Sequence, residues 1–259
     1  MDVIVSIVNN KGGTGKTTCT INLAHVLANK GKKVLVIDQD AQSNTSKILV
    51  GDGVETNTLY DLYQGKADIE SCIYPTPYDN LFCLPNIPAT ATLERDLYRE
   101  VDQSYLILRN KIREYAKTNF DATLIDCPPN LGVWVYMSLI ASDWVIVPIE
   151  SGSKYSLDGL VSALEHIETI REYINPDLGF LRLLINKVDL RTSISRSSVE
   201  QIKKKFGRDL VFQTTIPVNT DFQKAEDDGK TVIRYNSRSP GSKKYRELGN
   251  EMLRILGEE

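Results

Sequence analysis

Asn10-Lys11-Gly12-Gly13-Thr14-Gly15-Lys16-Thr17-Thr18 follows directly on the apolar run Val3 to Val8 and opens a helical pattern that lasts from Lys16 to Asn29. Glycines in such a stretch allow backbone conformations and close approaches that a Cβ would block, so successive N–H groups can converge on phosphate oxygens. The helix that follows adds its positive N-terminus. Lys16 then stands to bridge the β- and γ-phosphates of a nucleotide, and Thr17 to coordinate magnesium. A strand before and a helix after are the context that separates this motif from an ordinary glycine turn. The expected phosphate set is Lys11, Gly12, Gly13, Thr14, Gly15, Lys16, Thr17 and Thr18.

Outward from this loop, short β-branched runs alternate with longer helical patterns, the signature of a parallel sheet covered by helices. The strand candidates are Val3 to Val8, Val34 to Ile37, Thr123 to Ile125, Val145 to Ile149, Leu181 to Ile185 and Val211 to Ile216, with a weaker one at Leu81 to Leu84. Several are nearly continuous apolar runs, as strands buried on both faces require. Helical patterns fall near Lys16 to Asn29, Leu106 to Lys117, Leu157 to Tyr173, Ser197 to Phe206 and Lys243 to Leu256, and Gly31 sits where the first should stop. The segment 51–88, with Gly, Pro and Tyr interspersed, should hold loops and short elements. The expected architecture is one α/β domain over 1–259, a twisted and mostly parallel sheet of about seven strands with helices on both faces.

The chain of 259 residues carries 31 Lys and Arg against 34 Asp and Glu, a formal net charge of -3, with 41% hydrophobic and 25% charged residues. That is ordinary globular composition, which excludes disordered, collagenous and disulfide-built chains. Cys19, Cys72, Cys83 and Cys127 are scattered without a C-x-x-C pair, so they read as reduced thiols and a cytoplasmic protein is expected. No apolar run approaches the roughly 20 residues of a membrane span, and Val3-Ile4-Val5 stands where a leader would show a charged region, so neither insertion nor export is expected.

One departure in the loop identifies a subclass. Asn10 replaces the usual first glycine and Lys11 adds a second lysine. The chain here resembles the ParA/MinD family of deviant-Walker P-loop ATPases, closest to its ParA-type partition members. The resemblance implies ATP and Mg2+ as cofactors and a nucleotide-sandwich homodimer, with Lys11 reaching the phosphates bound by the partner subunit. Asp38-Gln39-Asp40-Ala41-Gln42-Ser43-Asn44 is similar to the family's switch I, with Ala41 in place of the usual proline. Two acids at a strand end beside phosphates can hold magnesium and orient water. Asp40 is expected to position the attacking water, so the catalytic set is Lys11, Lys16 and Asp40. Asp38 supports magnesium through its shell. Leu124-Ile125-Asp126-Cys127-Pro128-Pro129 has the Walker B pattern, placing Asp126 with Thr17 and Asp38 around the metal.

Leu184-Ile185-Asn186-Lys187-Val188-Asp189 admits two readings. Asn-Lys-x-Asp after a strand is how many GTPases read guanine, whereas the ParA/MinD family uses this strand end for adenine. The glycine that GTPases carry shortly after the Walker B aspartate is missing, which favours ATP. Asn186 and Lys187, with Pro217, Val218 and Asn219, are the expected base contacts by resemblance. Ile216-Pro217-Val218-Asn219 resembles the family's Ile-Pro-Arg-Asn loop, its arginine replaced by Val218.

Members of the ParA type bind DNA without sequence preference, and Arg191 falls where the family carries a DNA-contacting arginine. Val218 and Asp221 stand where basic residues are usual, which should weaken binding and flatten its salt dependence. Lys203-Lys204-Lys205, Lys224, Arg234, Arg238, Lys243 and Lys244 are the candidate compensating cations. A ParB-like or adaptor partner that stimulates hydrolysis, and nucleoid association, follow from the same resemblance. MinD-type members end in a basic amphipathic helix, but the stripe Tyr245, Leu248, Met252 and Leu256 is balanced by Glu247, Glu251, Glu258 and Glu259, so it is expected to pack on the domain and no membrane partner is expected. Sequence-specific operator binding is not expected, because no segment before Val3 could hold a helix-turn-helix. Lys154 follows a strand end on the nucleotide side, and some relatives use a lysine of this region for phosphate. His25 and His166 read as structural or exposed residues, and no metal beyond magnesium is expected. The alternatives are the same engine positioning a protein cargo such as a carboxysome or chemoreceptor cluster, a MinD-like membrane regulator, and a metallochaperone NTPase. The last lacks the C-x-x-C pair it would need.

Overall fold

The computed structural model describes residues 2–97, 104–152 and 155–258. Seven strands form one sheet in the order β3-β4-β2-β5-β1-β6-β7. They are β1 (Val3–Ile7), β2 (Val34–Asp38), β3 (Tyr74–Pro75), β4 (Leu81–Leu84), β5 (Ala122–Asp126), β6 (Trp144–Glu150) and β7 (Gly179–Asn186). Every pairing is parallel except that of β3 with β4. Ile4 and Val8 pack into the core on one face of β1 while Val5 and Ile7 pack into the core on the other. Burial on both sides is why the strand reads as an almost unbroken apolar run.

Helices Ile107–Asn119, Val133–Ala141, Tyr155–Tyr173 and Ser193–Phe206 contribute to one core, and α1 (Lys16–Asn29) with the C-terminal helix Pro240–Ile255 to the other. The α1 helix starts at Gly15, held left-handed at φ 88°, and stops at Gly31, left-handed at φ 83°. The C-terminal helix starts at Ser239, whose side chain accepts from the Ser242 amide, with Pro240 in its first turn. Its stripe Tyr245, Leu248 and Met252 is fully buried. Gly249 lets it lie on α1, since a Cβ there would collide with Val26.

Two departures from the sequence reading have physical causes. Val211 to Ile216 is not a strand: it meets β7 through one isolated bridge, Val211 to Leu183, and two amides, Phe212 to the Leu183 carbonyl and Ile216 to that of Ile185, with a second isolated bridge between Pro217 and Val188 just past the strand. The Gln213 and Thr214 amides turn instead to the Glu251 carboxylate, at 2.6 and 2.9 Å, and Pro217 has no N–H to give. The seventh strand is the short antiparallel β3. Helix Val133–Ala141 was not foreseen because it is buried on nearly all sides and carries no polar stripe. The 51–88 segment holds short elements as expected: α3 (Leu59–Tyr63), β3 and β4.

Register aligns the functional ends. Asp126 lies opposite both Ile7 and Asp38, and Glu150 opposite Asn186. The carboxyl ends of five strands therefore share one edge.

Candidate active site

The phosphate loop is fixed by two side chains, one just past the end of β1 and one at the end of β7. Asn9 donates its amide to the Pro148 carbonyl at 2.8 Å and accepts the Lys11 N–H at 2.9 Å. Asn186, at the end of β7, donates to the Thr14 carbonyl at 2.9 Å and accepts the Lys187 N–H at 2.8 Å. Its amide lies so close to Gly15 that a Cβ there would strike it. Only glycine meets both that approach and the left-handed φ. Lys16 is 7% exposed, and its ammonium donates to the Lys11 carbonyl at 3.3 Å. Burial lowers its pKa, an effect opposed by the charges of Asp126 and Asp40.

The three acids form a graded set. Asp126 accepts from the Thr17 hydroxyl at 2.7 Å, the Thr45 hydroxyl at 2.7 Å and the Thr20 hydroxyl at 3.4 Å. Asp38, 0% exposed, accepts from the Ser46 amide and hydroxyl at 2.9 and 2.6 Å and from the Asp40 amide at 3.1 Å. Asp40 lines the cavity and accepts from the Gln42 amide at 2.9 Å. Burial raises the pKa of Asp38 and of Asp126, and neighbouring carboxylates raise both further. Two carboxylates made uneasy by burial, beside a threonine hydroxyl, are a hard-oxygen donor set that fits magnesium. Thr45, Thr20 and Ser46 escaped the sequence reading. They lie in α1 and in α2 (Asn44–Val50), and only the fold turns them toward the acids.

A cavity of about 700 Å³ opens over this edge. Gly12, Gly13, Gly15, Lys16, Thr17 and Thr18 line it on one side, and Asn186, Lys187, Pro217, Val218 and Asn219 on the other. The phosphate and base segments named from the sequence thus share one space. Phe222, Gln223 and Glu226, from helix Thr220–Asp227, also line it. They were missed because no motif marks them. Val218 is 57% exposed, and Asn219 caps the helix by accepting the Asp221 amide at 2.8 Å.

Lys11 is not among the cavity's lining residues. Its ammonium lies 3.5 Å from Glu150, whose other oxygen is 3.9 Å from the Lys187 ammonium. Arg191 is an exposed side chain that clasps Asp189 with two bonds of 2.8 Å. Lys154 lies outside the described residues. His25 meets the Thr231 hydroxyl at 2.6 Å and His166 the Tyr136 hydroxyl at 2.8 Å, so both are held in structural contacts. Cys127 is buried, its thiol pushed up to about 12 by burial. Tyr63 donates to Gln39 at 2.8 Å and stacks on Trp134, tying α3 to switch I. Among the described residues, no helix is long and apolar enough to cross a membrane.

A family model described as an AAA domain matches residues 2–180. The sporulation initiation inhibitor protein Soj of Bacillus subtilis is 35% identical over 256 residues, covering 97% of this chain and 98% of that protein. The chromosome partitioning protein ParA of Myxococcus xanthus is 32% identical over 255 residues, covering 97% and 88%. Among solved structures, the septum site-determining protein MinD of Pyrococcus horikoshii, complexed with Mg-ADP, superposes with a TM-score of 0.80 at 26% identity, covering 98% of this chain and 97% of that one.

Proposed function

The chain belongs to the ParA/MinD family of ATPases, and from that premise we propose that it is a dimerising partition ATPase that binds DNA without sequence preference and moves or segregates DNA with a ParB-like partner. It hydrolyses ATP with magnesium. The observation that supports the sandwich dimer is the division of labour between its two loop lysines. Lys16 is turned inward onto its own loop and cavity, whereas Lys11 stands outside the lining beside Glu150. A lysine so placed suits the phosphates of a second subunit. The unit acts as one domain over 1–259, in the cytoplasm and at the nucleoid.

Thr17, Asp126 and Asp38 would hold magnesium, which supplies positive charge at the phosphates when bound. Lys16 neutralises charge developing on the β- and γ-oxygens, joined by Lys11 of the facing subunit. Asp40, more open than Asp38 and fixed by the Gln42 amide, orients the attacking water. Asn186, Lys187 and Pro217 to Asn219, which line the cavity together, would frame the adenine.

Arg191 is the proposed DNA contact, supported by its 85% exposed side chain. To reach a phosphate it exchanges the Asp189 carboxylate for another anion. The exposed apolar Val218, and an Asp221 that accepts from Asn236 at 2.9 Å, favour a second reading in which the same engine positions a protein assembly. Binding of non-specific duplex DNA, measured with ATP, ADP and no nucleotide over a salt series, separates the two. Binding confined to ATP that weakens with salt, its salt slope reduced by about one unit in Arg191→Ala, supports DNA partition. No binding under any condition overturns it.

A further inference from the structure

Asp189 closes the run Asn186-Lys187-Val188-Asp189, and both of its oxygens are engaged by Arg191. The guanidinium Nε donates to Oδ1 and Nη2 to Oδ2, each at 2.8 Å, and the Arg191 amide adds a bond to Oδ1 at 3.1 Å. The first half of the run behaves differently. Asn186 holds the phosphate loop through the Thr14 carbonyl, and Asn186 and Lys187 both line the nucleotide cavity. Val188 pairs with the Pro217 to Asn219 loop, its N–H donating to the Ile216 carbonyl at 2.9 Å and its carbonyl accepting the Val218 N–H at 3.1 Å. The chain thus brings Asp189 beside the loop whose Pro217, Val218 and Asn219 line the cavity, while Asp189 itself, held by Arg191, is not one of the lining residues.

Guanine presents two adjacent N–H donors, on N1 and the 2-amino group, and a carboxylate with both oxygens available accepts from the pair. Adenine offers a bare ring nitrogen on that edge, which a carboxylate repels. A carboxylate already bridged by a guanidinium has no oxygen left in the bidentate geometry that guanine needs. We propose that Arg191 is a specificity-determining residue for the nucleotide: by clasping Asp189 it withholds a guanine-reading carboxylate from the base pocket and sets the preference for ATP over GTP. The inference rests on the ATPase reading of the site and describes the chain without DNA, since Arg191 must release Asp189 to reach a phosphate. Asp40 and Glu226 also line the cavity, and both stay in place in every variant below.

The test is displacement of a fluorescent ATP analogue from the full chain by ATP and by GTP, with magnesium and without DNA. It compares wild type, Arg191→Ala and the double variant Asp189→Asn/Arg191→Ala. The Arg191 side chain is exposed, so its removal leaves the fold intact. Without the guanidinium, only the residue 191 N–H still donates to Oδ1, Asp189 gains a bidentate contact to guanine through its remaining lone pairs, and the ratio of GTP to ATP dissociation constants narrows by at least about fivefold, the scale of one such contact. In the double variant an asparagine cannot accept from both N–H groups, and the ratio returns to the wild-type value. An unchanged ratio in Arg191→Ala overturns the proposal, as does the same narrowing in the double variant. Because no DNA is present, failure here leaves the partition reading standing, and failure of DNA binding leaves this measurement standing.

Discussion

Asn186→Ala separates a residue that holds the phosphate loop from one that only touches the base. Asn186 is 5% exposed and makes two short bonds, to the Thr14 carbonyl and from the Lys187 N–H. The second helps keep Lys187 left-handed at φ 53°, a conformation that costs a non-glycine residue about 1–2 kcal/mol. Each bond contributes roughly 1 kcal/mol net, and a buried partner left unpaired costs about 1–3 kcal/mol. Thr14 is 1% exposed, so its carbonyl has little recourse to water. Together the substitution should destabilise the protein by about 2–4 kcal/mol. For a chain of this size that lowers Tm by roughly 5–12 °C. A loop that must be ordered by its ligand also binds it less tightly, by about tenfold for each 1.4 kcal/mol. The assays are thermal unfolding without nucleotide, and affinity for ATP and for inorganic tripolyphosphate, which has no base. A loop clamp weakens both ligands alike and lowers Tm. A Tm unchanged within about 1 °C, with ATP weakened and tripolyphosphate untouched, refutes the reasoning and returns Asn186 to a base contact alone.

Ser46→Ala removes a donor to the buried Asp38 carboxylate and the acceptor of the Asn86 N–H at 2.8 Å, so urea unfolding should show a loss of about 2–4 kcal/mol, against under about 0.5 kcal/mol for the exposed control Ser71→Ala. His25 has a pKa pushed down to about 4 by burial and then by Arg234 and Arg246, from an ordinary 6.5. Between those values the folded state holds fewer protons than the unfolded state, so His25 stabilises fully above pH 6.5 and that contribution, at most about 3 kcal/mol, is lost as pH falls toward 4. Urea midpoints over this range should fall more steeply in wild type than in His25→Asn, and parallel slopes would remove His25 as the cause.

How much of this was legible in the sequence depends on the range of the interaction that fixes each feature. The phosphate loop was legible because its requirements are local: Gly13 and Gly15 take left-handed φ values, and Lys16 and Thr17 follow in the first turn of the helix they open. Asp38 and Asp126 were legible because each ends an apolar strand, and parallel register brings such ends level. Thr45, Ser46 and Thr20 were not, since a hydroxyl on a helix carries no pattern that says which carboxylate it will meet. The same holds for Phe222 and Gln223, which reach the cavity only because Asn219 caps a helix aimed across it.

Val211 to Ile216 shows the converse. Its composition is that of a strand, yet Glu251 takes two of its amides from a helix 37 and 38 residues further on. A long-range carboxylate outcompetes a ladder that local propensity favours. Asp189 belongs to the same class. Its place in Asn-Lys-x-Asp reads as guanine recognition, and a residue only two positions away cancels that reading by forming three hydrogen bonds to it. A motif states which groups are delivered to a site. Whether a group is available there is decided by its neighbours, which is why Arg191 bears on the choice of nucleotide although no base-recognition motif includes it.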